Sequence, residues 1–312
     1  MGDSKFSIVD VGKLSKPITK LIESVSGAVG LVYEPTRIRR KAKAEADAML
    51  IFADAQIEVA TRAARRLAVQ EVRRQENIET IVESAANLLP ETVSEEPVDP
   101  DWMSRFFADA ADVSDEHLQK IWAKLLAQEV AEPGRCSRRT LGIVKELSRL
   151  DAECFERLCR LVWYGEDFGF VPLDEDYDDG VSQEMPDQPL RRYGVQFDDC
   201  LQLDALGLVQ CQSFLEQTLP TGSVIAHGQS IYVLFGHPVS GRIEPFDAYP
   251  LTRSGLELFR IVEAEPNKQH HEDTLKLLVR HGAKIACPLL EGQSAETWLE
   301  GECGTSASAP PR

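Results

Sequence analysis

The side chains best suited to chemistry in this 312-residue chain are six histidines, seven cysteines and the run Asp174-Glu175-Asp176-Tyr177-Asp178-Asp179-Gly180. Histidine and cysteine hold transition metals when they recur at spacings such as H-x-x-x-H or C-x-x-C. Neither spacing occurs here. His270 and His271 are adjacent and so do not share a helical face, His227 and His237 lie at or beside turns, and His117 falls in the first turn of a helix. Cys136, Cys154, Cys159, Cys200, Cys211, Cys287 and Cys303 are odd in number, which suits reduced, mostly core thiols rather than a disulfide framework. The acidic run invites a calcium loop. Its glycine, however, is seventh rather than sixth, and Met185 stands where position twelve needs a glutamate. We therefore expect a solvated acidic loop and no catalytic, cofactor-binding or metal residues. No G-x-S-x-G, P-loop or G-x-G-x-x-G motif is present. An enzyme whose site is assembled from distant segments stays open as an alternative.

The elements around these residues predict a mainly α fold with a small α+β part. Leu14, Ile18, Leu21, Ile22, Val25, Val29 and Val32 recur at steps of three and four, which makes 1–35 an amphipathic N-terminal segment. A long Ala-rich helix is expected over 36–89, with twelve alanines and no internal proline or glycine. Met49, Ala53, Ala60, Ala63 and Leu67 lie along an imperfect heptad seam with many small residues, and are the self-association candidates. Residues 90–101 are rich in proline and acid and suit a linker. A central helical bundle follows at 102–164. There Ser114 and Ser137 are plausible N-caps, Leu118, Ile121, Trp122, Leu125 and Leu126 make a buried stripe, and Phe155, Leu158, Val162 and Trp163 form the face of a further helix. After the acidic loop at 165–189, a helix at 197–206, two β-like runs around His227-Gly228-Gln229 and a helix opening at Thr252 suggest a winged-helix-like module over 190–262. A C-terminal helix and extension (263–300) and a disordered tail (301–312) complete the chain.

Charge narrows the function classes. The net charge of −17 disfavours general nucleic-acid binding, and 190–262 holds five Arg/Lys against seven acids. We expect the wing to be structural or to bind protein, with a DNA-associated regulator as the alternative. Residues 1–43 are nonetheless basic, with nine Lys/Arg against four Asp/Glu. Lys16, Lys20, Arg37, Arg39, Arg40, Lys41 and Lys43 could meet an anionic membrane surface while the apolar face enters the lipid boundary. The other outcome for that face is packing on the protein itself. No signal peptide or run of about 18 apolar residues is present, so the expected location is the cytoplasm, with peripheral attachment to the inner membrane.

Two passages carry a family resemblance. One is Leu14-Ser15-Lys16-Pro17 with Tyr33-Glu34-Pro35-Thr36-Arg37-Ile38-Arg39-Arg40. The other runs through Glu95-Glu96-Pro97-Val98-Asp99, Asp101-Trp102, Val113-Ser114-Asp115-Glu116, Gln119-Lys120-Ile121-Trp122-Ala123-Lys124-Leu125-Leu126-Ala127 and Glu132-Pro133-Gly134. Together they resemble a bacterial family defined as domain of unknown function 2806, over nearly the whole chain. Ser114-Asp115-Glu116 with Ile121-Trp122-Ala123-Lys124-Leu125-Leu126, and the later Leu206-Gly207-Leu208 and Leu251-Thr252 segments, are also similar to the Abi-alpha abortive-infection family. That likeness implies a role in phage defence and transfers no catalytic residue. The expected function is a non-enzymatic interaction or effector protein that forms homo-oligomers, meets a further protein partner and needs no cofactor.

Overall fold

The computed structural model describes residues 15–29, 58–174, 189–211, 215–236 and 242–286. The chain divides into two compact units, Met1–Arg149 and Leu150–Arg312.

The described part of the first unit is helical. It comprises α1 (Lys16–Val29), α2 (Glu58–Leu88), α3 (Pro100–Ala110), α4 (Glu116–Ala131) and α5 (Arg138–Glu146). Aromatic side chains set its centre. Trp102 stacks on Phe106 at 5.2 Å between centroids, and Phe106 meets Trp122 edge-on at 5.1 Å. The predicted stripe of α4 is buried at Ile121, Trp122, Leu125 and Leu126, against which α2 lays Ile81, Val82 and Ala85. Helix ends follow their cap residues. Ser137 accepts from the Thr140 amide at the start of α5, as its sequence position predicts. At α4 the cap is Asp115 instead of Ser114, because its carboxylate accepts from both His117 and Leu118. The Ser114 hydroxyl is engaged by Asn77. The segment 90–101, expected to be a linker, lies inside this unit, with Val98 buried and the Ser94 amide bonded to Ala131.

The described part of the second unit comprises α6 (Arg149–Cys159), β1 (Trp163–Tyr164), β2 (Gly169–Pro172), a 3-10 turn (Arg191–Tyr193), α7 (Phe197–Ala205), β3 (Leu215–Gln217), β4 (Ser223–His227), β5 (Ser230–Phe235), β6 (Phe246–Pro250), α8 (Arg253–Phe259), α9 (Lys268–Arg280) and β7 (Lys284–Ala286). The strands make one antiparallel sheet in the order β3-β6-β2-β1-β4-β5-β7. One face packs Trp163, Phe170, Ile225, Leu234, Phe246 and Ala248 against Leu277 and Leu278 of α9. On the other, Tyr164 meets Phe259 of α8, and Gly169 leaves room for Leu251 and Leu256.

The sheet departs from two sequence expectations. Gly169–Pro172 was expected within the acidic loop 165–189, but its apolar Phe170 and Val171 are buried as a central strand. Trp163 belongs to β1, since α6 ends at Cys159 and the chain turns through Leu161 and Val162. The expected hairpin around His227-Gly228-Gln229 is present as β4 and β5. It is not a free two-stranded wing, because β1 pairs with β4 and β7 with β5.

Candidate functional site

The densest convergence of polar side chains among the described residues is where α9 meets the β4–β5 hairpin and the 3-10 turn. Asn267 caps α9 by accepting from the His270 amide, which fixes the first turn and the directions of the two adjacent histidines. His271 reaches the hairpin, where its Nδ1 lies 2.8 Å from His227 Nδ1 and its Nε2 lies 2.8 Å from the Tyr232 hydroxyl. His227 Nε2 lies 3.0 Å from the Arg160 carbonyl oxygen. A carbonyl only accepts, and that fixes every proton in the chain. His227 carries its hydrogen on Nε2 and accepts at Nδ1, His271 donates from Nδ1, and the Tyr232 hydroxyl donates to His271 Nε2. The rings stack as well. Trp163 lies 4.9 Å from His227 and 5.1 Å from His271, centroid to centroid.

His270 points elsewhere. It is 2% exposed and sits against the edge-on ring of Tyr193, with Nε2 3.3 Å from the Pro172 carbonyl and Nδ1 without a hydrogen-bond partner. Burial pushes His270 down to about 3 and His227 to about 4, and it lowers His271 as well. All three rings are therefore neutral at pH 7.

An ionic group lies beside them. Asp273 accepts from the Tyr193 hydroxyl at 3.0 Å, from Gln269 and from Lys276, with Arg192 3.7 Å away. Its burial alone would raise the carboxyl, but those hydrogen bonds and the Arg192 charge hold it below the usual range. Asp174 is bound by Arg280 at 2.6 Å and approached by Arg192 at 4.0 Å. The histidine chain fastens the hairpin to α9, and the ionic group fastens Asp174 and the 3-10 turn to the same helix. Among the described residues no three His, Cys, Asp or Glu side chains converge as a metal site.

The residues singled out from sequence fall elsewhere. Lys16 is exposed at the start of α1. Lys20 is half-buried and donates to the Ser94 carbonyl at 2.8 Å. Leu21 and Val25, the middle of the apolar face, are buried, and α1 packs on α3 and α4. Ala60, Ala63 and Leu67 lie in the first half of α2, where Leu67 is 60% exposed. Arg37, Arg39, Arg40, Lys41, Lys43, Met49, Ala53 and His237 lie outside the described residues. Cys136, Cys154, Cys159, Cys200 and Cys211 are thiols outside any disulfide, all but Cys154 buried. Only Asp174 of the proposed acidic loop sequence 174–180 is described, and it serves the ionic group.

Sequence reasoning missed the histidine cluster. Ligand spacing is a local signal, whereas these three rings meet only when the hairpin folds against α9, over 40 residues away in the chain. The short apolar run before His227 and the capping Asn267 were the available signs of the two elements, but neither shows that they meet.

Residues 61–275 match the family described as protein of unknown function (DUF2806). The chain belongs to this family. The DUF2806 match takes in the exposed half of α2, the core of α4, the whole hairpin and α9 as far as Leu275, so the histidine chain lies inside the family region. No curated protein and no solved structure matches the chain.

Proposed function

We propose that this protein acts by binding protein chains, foremost copies of itself, and catalyses no reaction of its own. One observation carries the reading. No side chain from Thr61 to Glu76 of α2 is buried, whereas Asn77, Ile81, Val82 and Ala85 further along the same helix are. Leu67 and Val69 are 60% and 64% exposed in that stretch. Four turns of helix with Leu67 and Val69 uncovered and Val72 only half-buried gain little from their own fold, because helical stability in proteins comes mainly from packing. Partner contacts on α2 supply that packing.

The setting we infer is a bacterial effector of phage defence. Its support is the likeness of the Ser114–Leu126 motif to the Abi-alpha family. Attachment to a membrane has weaker support, since lipid would have to displace α3 and α4 from Leu21 and Val25. The DNA-regulator alternative is likewise weakened by a hairpin flanked on both sides and by Asp198, Asp199 and Asp204 on α7.

Light scattering on the full chain tests association. We expect a mass that is a multiple of 34.7 kDa, and a shift towards 34.7 kDa for Leu67→Glu combined with Val69→Glu. A parent chain that stays at the single mass across micromolar concentrations sinks the reading. Phage plating with the same variant then tests whether association serves defence.

A further inference from the structure

The exposed part of α2 is divided by charge. Residues 62–74 hold Arg62, Arg65, Arg66, Arg73 and Arg74 against the single acid Glu71, while residues 75–88 hold Glu76, Glu79 and Glu83 and no Lys or Arg. At about 100° per residue, Arg62, Arg65, Val69, Glu76, Thr80 and Glu83 fall on one side of the helix, opposite Ile81 and Ala85. All six are exposed, and Ile81 and Ala85 are buried. The basic half of this face borders an open depression lined by Arg62, Arg65, Arg66, Val69, Gln70 and Arg73.

From this segregation we infer that the occupant is a second copy of the chain, laid antiparallel on this face of α2. The inference rests on the reading that α2 is an association surface, and adds the partner's orientation. In an antiparallel pair the basic half of each copy lies on the acidic half of the other, twice by symmetry. A parallel pair would set arginine on arginine and glutamate on glutamate. Placing Arg65 opposite Glu83 puts the twofold axis near residue 74, where like charges of the two copies would otherwise face each other. Near that point Arg73 pairs with Asp112 of its own chain at 3.1 Å, while Arg74, on the Ile81 side of the helix, pairs with Asp112 at 2.8 Å and with Glu71 at 3.1 Å. Asp112 thus supplies a counter-charge beside Arg73, near the axis of the pair.

The test uses the full chain in sedimentation equilibrium at 0.15 M and 1 M salt, with two charge-reversed variants. One is Arg62→Glu, Arg65→Glu, Arg66→Glu, and the other is Glu76→Arg, Glu79→Arg, Glu83→Arg. We expect each alone to raise the dimer Kd at least tenfold. An equimolar mixture should recover the parent Kd as a heterodimer, and the chain carrying all six changes should self-associate like the parent. Circular dichroism checks that the variants stay helical. A dimer whose Kd ignores both variants overturns antiparallel pairing and leaves self-association standing. A monomeric parent overturns both. A monomeric parent that shifts duplex DNA at low salt, with the shift lost only in the arginine-reversed variant, makes the basic half a nucleic-acid surface instead.

Discussion

At the residue scale, the chain Tyr232–His271–His227–Arg160 carbonyl sets how the second unit responds to protons. A histidine whose folded value is lowered binds its proton more readily in the unfolded chain, so stability is complete above the unfolded value of about 6.5 and is lost as pH falls towards the folded one. With His227 at about 4 and His270 at about 3, that loss runs from pH 6.5 down to about 4 for the first and about 3 for the second. The carboxylates held low, such as Asp112, Asp115 and Asp273, begin to lose their share only below about 4. We therefore expect the melting temperature to fall steadily between pH 7 and pH 4.5, with hydrogen exchange rising first in β4, β5 and α9. A flat profile over that range would falsify neutral burial of these rings. Tyr232→Phe removes the hydroxyl that donates to His271 Nε2 and should cost about 1 kcal/mol at pH 7, measured by urea unfolding. A cost near zero would mean that water replaces the hydroxyl.

At the element scale, glycines separate contacts that matter from those that do not. Gly255 opens α8 directly against the Leu208 carbonyl, and its amide is capped by Thr252 at 3.0 Å. A methyl there overlaps backbone that cannot swing aside, so Gly255→Ala should cost about 3 kcal/mol. Gly27 of α1 has nothing within 4 Å of a methyl, and Gly27→Ala should stabilise by about 0.5 kcal/mol. Thermal melts of the two variants should move in opposite directions, and a loss at Gly27 would mean that α1 packs more tightly than described. Elements also show what was legible beforehand. Three-and-four spacing gave the buried face of α4 at Ile121, Trp122, Leu125 and Leu126, because a helix writes its packing into neighbouring residues. Strands too short for alternation left no such trace. Trp163–Tyr164 is two residues long, and Gly169–Pro172 is framed by acids that dominate the local composition. The histidine site was hidden for the same reason, since its geometry is a property of strand order rather than of spacing.

At the scale of the whole molecule, the two units divide the labour. The first carries the uncovered helix, and the second holds the acid-sensitive cluster. Sequence composition predicted a long Ala-rich helix over 36–89, of which Glu58–Leu88 is described as α2. It left open whether the apolar face of α1 meets lipid or the protein itself, and that face packs on α3 and α4. The strand order has a further consequence. β1 and β2 precede residues 175–188, yet lie between β6 and β4, which follow them. On either side of that stretch, Asp174 is tied to Arg280 and Tyr193 to Asp273, both on α9. A backbone cleaved between 175 and 188 would therefore leave the β1–β2 pair of one fragment held between β6 and β4 of the other. The second unit would survive the cut as a non-covalent complex, able to reassemble from two separately made halves.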